Sequence, residues 1–303
     1  IYQLIVYRAL QGIGAYTSIL QAIIGDTFNK EQHGRGMGYY SLAMNIGYFG
    51  GIVVGGYISS YLGFRNIFSI SGFLIIIIAF FLFLVLKDDD RKNSVNNDID
   101  TSKMSLNLNN VKLLFKKNQF KLSVLLNCVR WFLFGGIVAY LIWVLQDTFK
   151  LNQIQTSYVL IGIVALYVVS LFLSSKVLDK KGPRKMMITG QSIVIIFGIP
   201  FFIEILIHNL LIFIILCSLI GMGIALFDPA GNTLLLKVIE DINPKLKGSG
   251  IGFNNAIGFF CGAIAPMIFS PIGELNVFAP FYLIITLMVL SLLITYKYIN
   301  KCY

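Results

Sequence analysis

Residues 210–235 read LLIFIILCSLIGMGIALFDPAGNTLL, and Asp228 is the one charge in the stretch. An α-helix rises about 1.5 Å per residue, so about 20 apolar residues cross the hydrocarbon core of a bilayer. This stretch is long enough. It is also apolar on all sides, whereas a strand of a transmembrane barrel would alternate apolar and polar over about ten residues. A lipid-spanning helix satisfies its own backbone and is the reading that fits.

Eight further blocks of the same kind lie on either side, near 1–24, 37–60, 66–86, 120–144, 154–175, 186–206, 249–271 and 277–299. Over the whole chain of 303 residues, 57% are hydrophobic, 13% are charged, and mean hydropathy is +0.80. A soluble domain carries about 25% charge and about 45–50% apolar residues, and one core could not hide this much apolar surface. A soluble enzyme, a nucleic-acid-binding domain and a secreted disulfide scaffold are excluded. The fold class is all-α, a polytopic transmembrane helical bundle.

The formal charge is +10. Threading nine spans alternately places every Lys and Arg on one side except Arg8, Arg65, Arg130 and Lys150. Basic loops mark the cytoplasmic side. The first span therefore enters from outside, the C-terminus ends in the cytoplasm, and the net charge reflects orientation in a plasma membrane, not nucleic acid. The chain opens on Ile1 inside an apolar run, with no initiator Met and no signal peptide. We expect it to lack its natural beginning, and an odd number of extra spans would restore a cytoplasmic start.

A polar stretch from Lys87 to about Gln119, rich in Asn and Ser, reads as a loose linker ending in a short amphipathic helix near Val111–Phe115. It separates residues 1–90, the remainder of an N-terminal bundle of three helices, from residues 119–303, a C-terminal bundle of six, with 91–118 as the cytoplasmic linker. An internal echo joins the two parts. Gly12-Ile13-Gly14 and Gly34-Arg35-Gly36-Met37-Gly38 each bracket one apolar stretch and one loop, as do Gly221-Met222-Gly223 and Lys247-Gly248-Ser249-Gly250-Ile251-Gly252. Repeated halves are typical of transporters built from two bundles.

Charges inside spans are costly and point to a cavity or a partner. Arg8 and Gln11 share a helix face; a cavity or coupling role, a structural pairing, and snorkelling to the outer interface are the three readings of Arg8. Arg130 sits mid-span with Asn127 one turn before it. Asp228 precedes Pro229, which opens the helix ladder, and Asn232 follows one turn on. We expect Arg130 and Asp228 to face one central cavity; a bridge that merely stabilises the fold is the alternative. Gly38, Gly47, Gly51, Gly55 and Gly56 put small residues on the second span, with 47, 51 and 55 on one face, which suits a tight helix seam or one that slides. His33 and His208 fall in expected loops, so neither is a buried proton relay. The cysteines form no metal or disulfide pattern. No nucleotide-binding loop, HExxH motif or nucleophile elbow is present, so no cofactor, metal or catalytic residue is expected.

These residues resemble the major facilitator superfamily over almost the whole chain, as helices 4 to 12 of a twelve-helix transporter. Arg8-Ala9-Leu10-Gln11-Gly12 is similar to the family's fourth-helix motif. The fifth-helix glycine motif of its antiporter members matches at Gly38, Gly47, Gly51, Gly55 and Gly56, with Ile52 where that motif has proline. Asp179-Lys180-Lys181-Gly182-Pro183-Arg184-Lys185 resembles the family's cytoplasmic loop motif, with Ser175 where its opening glycine is usual. The resemblance implies a major facilitator fold with an incomplete N-terminal half and a complete C-terminal half. In it, Asp179, Lys180, Gly182, Arg184 and Lys185 form a latch on one state of a transport cycle, and Asp179 is suited to meet a helix N-terminus. The implied function is secondary transport of a small solute by alternating access, as proton-coupled efflux. An uptake symporter for a metabolite or sugar, a non-transporting receptor or scaffold, and a membrane-embedded enzyme are the alternatives. The expected partners are the lipid bilayer, a small-molecule substrate and protons, with the chain acting as a monomer.

Overall fold

The computed structural model describes residues 16–85, 108–203 and 207–299. Regular structure among them is helical throughout. Helix α1 is Tyr16–Thr27. A short 3-10 turn, Lys30–Gln32, leads into the helical element His33–Val85, which breaks at Gly63 (φ 74°) into α2 (His33–Gly63) and α3, whose apolar part is Arg65–Phe81. Then follow α4 (Leu108–Phe115), α5 (Asn118–Asp147), α6 (Gln153–Lys181), α7 (Pro183–Gly198), α8 (Leu210–Ile242), α9 (Lys247–Leu275) and α10 (Ala279–Tyr298). Among the described residues, seven helices are long and apolar enough to cross a membrane: α2 and α5 to α10, with α7 continued by the 3-10 turn Ile199–Phe202. The described part of the first expected span, α1, is too short for that test, and α3 is an apolar helix just under the required length. Most of the expected linker lies outside the described residues. Its end is the expected amphipathic helix: α4 buries Val111 and Leu114, and Phe115 packs edge-on against Phe120 and Phe253.

The helix ends follow from local chemistry. Asn152 and Gln155 cap the start of α6 reciprocally, each side chain accepting from the other's backbone N–H. Asn209 accepts from the N–H groups of Leu211 and Ile212 at the start of α8. Between α6 and α7 the chain turns on one residue, Gly182 (φ 79°), with Pro183 at the first helical position. A side chain at that φ would be strained, and proline suits a position whose N–H has no helical partner.

Packing pairs α5 with α9, α7 with α8 and α10, and α6 with α8, which closes the C-terminal six-helix group. Against it lie α2, on α6 and α8, and α1, on α9. The close backbone approaches are at Gly38 against Ser175, Gly135 against Gly262, and Gly190 against Gly223, where a Cβ would collide with the facing chain. Along the glycine face of α2 the contact is uneven: among the described residues a Cβ at Gly47, Gly51 or Gly55 would meet nothing within 4 Å, and one at Gly56 would meet just the Ser157 hydroxyl. Spacing marks a small face without saying what lies on it.

The basic loops gather at one end. The Arg35 backbone meets Asp179, Lys247 meets Asp26, Arg184 donates to the Tyr296 carbonyl, and Gln119 donates to that of Tyr298. Lys150 lies at the other end with Asp147, beside the turn from α5 to α6. These contacts hold the basic helix ends together.

Candidate functional site

A cavity of about 380 Å³ opens between α1 and α2 on one side and α5, α6, α8 and α9 on the other. That is a usual size for a small-molecule site. Its aromatic walls include Tyr40, Tyr48, Trp131, Phe134, Tyr167 and Phe259. Arg130 and Asp228 both line it and pair directly, Nη1 to Oδ1 at 3.0 Å. The same Nη1 donates to the Asp228 carbonyl (3.0 Å) and to Asn232 Oδ1 (2.7 Å), while Nη2 donates to Asn127 Oδ1. Asn127 in turn donates to the Asn254 carbonyl on α9. The guanidinium is therefore held by α8 and by Asn127 of its own helix, which α9 anchors in turn, and is 6% exposed, while the Asp228 side chain keeps 19%. Of the pair, the carboxylate is the more accessible to the cavity.

Pro229 makes room for this. It has no N–H to give the carbonyl four residues back, and that carbonyl, Ala225, instead lies 3.3 Å from the Ser174 hydroxyl of α6. The same hydroxyl lies 3.0 Å from the Leu171 carbonyl of its own helix, so its one proton is shared between the two acceptors.

Much of the polar lining is already bonded within the wall. Asn232 donates to Ser41 Oγ, Asn255 to Gln21 Oε1 and Ser18 Oγ, and Asn45 to the Ser41 carbonyl. The first two of these contacts tie the N-terminal helices to the C-terminal group. The wall continues into an apolar pocket that shares Phe134, Tyr167 and Ile224 with the cavity and adds Phe49, Leu160 and Phe281.

At the basic end, Asp179 accepts from the Arg35 N–H through both carboxylate oxygens (3.1 and 3.2 Å), at the first turn of α2. A carboxylate on a helix N-terminus is favourable. Gly182 makes the turn, and Arg184 donates to the Tyr296 carbonyl at 2.6 Å, while Lys180 and Lys185 are exposed. Arg8 and Gln11 lie outside the described residues.

Sequence reasoning misplaced one residue and missed a cluster. His33 is not in a loop: it opens α2 and is 1% exposed. Its Nδ1 lies 3.5 Å from Oε2 of the buried Glu240, whose Oε1 is 2.7 Å from Lys247 Nζ. Lys247 also reaches Asp26 Oδ1 (3.2 Å) and the Gly25 carbonyl. The available signal was a constant shift of 214 positions, which carries Asp26 to Glu240, His33 to Lys247, and Gly34, Gly36 and Gly38 to Gly248, Gly250 and Gly252. The 3-10 turns Lys30–Gln32 and Pro244–Leu246 obey the same shift. Gly12 and Gly14 carry to Leu226 and Asp228 instead, so the expected pairing with Gly221 and Gly223 is out of register.

Two groups of helices around an internal cavity, with an ion pair in its wall, define a polytopic helical membrane protein whose site lies between the groups. The chain belongs to the major facilitator superfamily, whose family model matches residues 1–266. It is 28% identical over 255 residues to an uncharacterized MFS-type transporter of Methanocaldococcus jannaschii, covering 82% of this chain and 62% of the relative. The chain thus spans less than two thirds of that relative's length. Among solved structures, the human organic anion transporter MFSD10 (TETRAN) superposes with a TM-score of 0.66 at 15% identity, over 92% of this chain and 67% of that one. The proton:xylose symporter XylE, bound to 6-bromo-6-deoxy-D-glucose, does so with a TM-score of 0.72 at 13% identity, over 95% and 69%. At these identities the likeness establishes the fold.

Proposed function

We propose that the protein moves a small amphipathic solute out across the plasma membrane by alternating access, driven by protons and without covalent chemistry. The observation that carries this reading is the Arg130–Asp228 pair in the wall of a cavity between two helical groups. Among the described residues these are the two charged side chains lining that cavity, and an intramembrane pair with one accessible carboxylate is suited to exchange a proton for a solute contact. Aromatic walls leading into an apolar pocket favour an amphipath over a sugar, since much of the amide and hydroxyl lining is bonded to itself. The C-terminus lies in the cytoplasm, the chain works as a monomer, and Asp179 steadies the state in which the basic end is closed.

The test is flux in proteoliposomes under an imposed proton gradient, across a panel of amphipathic amines, amphipathic acids and sugars. We expect gradient-driven flux of at least one amphipath, lost in Asp228→Asn. Absence of solute-dependent flux across the panel contradicts transport, and sugar flux running with the proton contradicts export.

A further inference from the structure

The four charged groups at the basic end form a pseudo-symmetric set. Under the shift of 214 positions, the contact of Lys247 with Asp26 maps onto the contact of His33 with Glu240. The hydrogen bond between Asn232 and Ser41 maps in the same way onto that between Asn255 and Ser18. Each helix-end carboxylate thus meets the cation that opens a helix of the other group. The two contacts differ in one respect: where one has a lysine, the other has an imidazole.

The geometry around that imidazole is specific. Nε2 lies 2.9 Å from the Phe28 carbonyl, which can only accept, so Nε2 carries a proton. Nδ1 then faces Glu240 Oε2 at 3.5 Å and has no other hydrogen-bond partner. A neutral ring would turn a lone pair toward a carboxylate, whereas an imidazolium donates from both nitrogens. The charged groups placed around it on the packed elements are Asp26 on α1, Asp179 on α6, Glu240 on α8 and Lys247 on α9, with Arg35 on its own helix. With His33 neutral, Lys247 alone answers Asp26 and Glu240; with His33 charged, the set of Asp26, His33, Glu240 and Lys247 balances.

We propose that this cluster is a second proton site, separate from Arg130–Asp228, at which one proton on His33 holds the two helical groups together at the basic end. The His33–Glu240 attraction exists while the ring carries its second proton and is lost when that proton leaves, so acidification on the basic side closes that end. The site needs no substrate to operate and does not depend on what the cavity carries.

The test places spin labels at Glu31 and Lys245, exposed residues related by the same shift, in a chain whose cysteines Cys128, Cys217, Cys261 and Cys302 are replaced. Distances are measured in lipid nanodiscs at pH 5.5 and pH 8. We expect the ratio of short to long distances to be about fivefold or more higher at pH 5.5, the scale of ordinary site coupling. His33→Lys holds the short distance at both pH values, and His33→Gln removes the response. An unchanged wild-type distribution overturns the proposal. So does a full response in His33→Gln, which would put the proton on a carboxylate, or a His33→Lys protein that elutes as folded yet opens at pH 8. Glu240→Gln supplies a second route: it too must abolish the response.

Discussion

The helix–turn–helix units α1–α2 and α8–α9 share a frame and differ in what they carry. Both run from a helix-end carboxylate through a 3-10 turn to a cation and a Gly-x-Gly-x-Gly start. The inner glycines Gly36 and Gly250 are both crowded, by Ile24 and Phe28 in one unit and by Ile239 in the other, where Leu114 of α4 joins it. The outer glycines are not equivalent. Gly34 and Gly38 press on Asp179 and Ser175 of α6, whereas a Cβ at Gly248 or Gly252 would meet nothing within 4 Å among the described residues. Asp228 likewise stands in α8 where the shift gives Gly14. Repetition fixed the scaffold and its end contacts, while Asp228 has no acidic counterpart at the shifted position.

The largest expected effect removes the Arg130–Asp228 pair. Arg130→Met leaves Asp228 and Asn127 facing an apolar side chain. It should abolish flux and cost about 3–5 kcal/mol, the usual loss when one partner of a buried pair is deleted. Thermal unfolding in detergent measures the second part, and an unchanged midpoint would show that the pair does not hold α5 to α8.

The glycine mates sharpen the contrast. At Gly38 the intruding Cβ would meet Ser175 backbone, which cannot yield cheaply, so Gly38→Ala should destabilise by about 1–3 kcal/mol. Gly252→Ala, at the equivalent position, should be neutral or stabilise by about 0.5–1 kcal/mol through helix propensity. Equal effects at the two positions would break the distinction between a seated and an open face.

Smaller changes probe single contacts. Ser174→Ala removes the hydroxyl shared by the Leu171 and Ala225 carbonyls and should cost about 0.5–1.5 kcal/mol. Asp179→Asn keeps the shape but removes the charge at the start of α2, for about 0.3–1 kcal/mol and a larger open fraction at the basic end. Denaturation midpoints rank the first, and the Glu31–Lys245 label pair reads the second.

The spans were legible because a bilayer imposes length and hydropathy on each of them separately. Arg130 and Asp228 stood out for the same reason, since a charge in an apolar block needs a partner. His33 and Glu240 did not, because a charged residue near the end of an apolar block looks like loop. Their burial arises where the ends of α1, α2, α8 and α9 converge, a tertiary event that no single window contains. Only the repeated spacing of Asp26–His33 and Glu240–Lys247 carried it. The glycine face of α2 was legible in part: the periodicity of 47, 51 and 55 is real, but the neighbour against which a small face packs is not written in the helix that bears it.

Everything rests on apolar helices that cross one bilayer with their basic ends together in the cytoplasm. Single cysteines at Lys185, Lys245 and Lys150, each in a cysteine-free background and probed with a membrane-impermeant thiol reagent in right-side-out and inside-out vesicles, test this most directly. The first two should react only in inside-out vesicles and the third only in right-side-out ones. Labelling of Lys150→Cys from the same side as Lys245→Cys would contradict it.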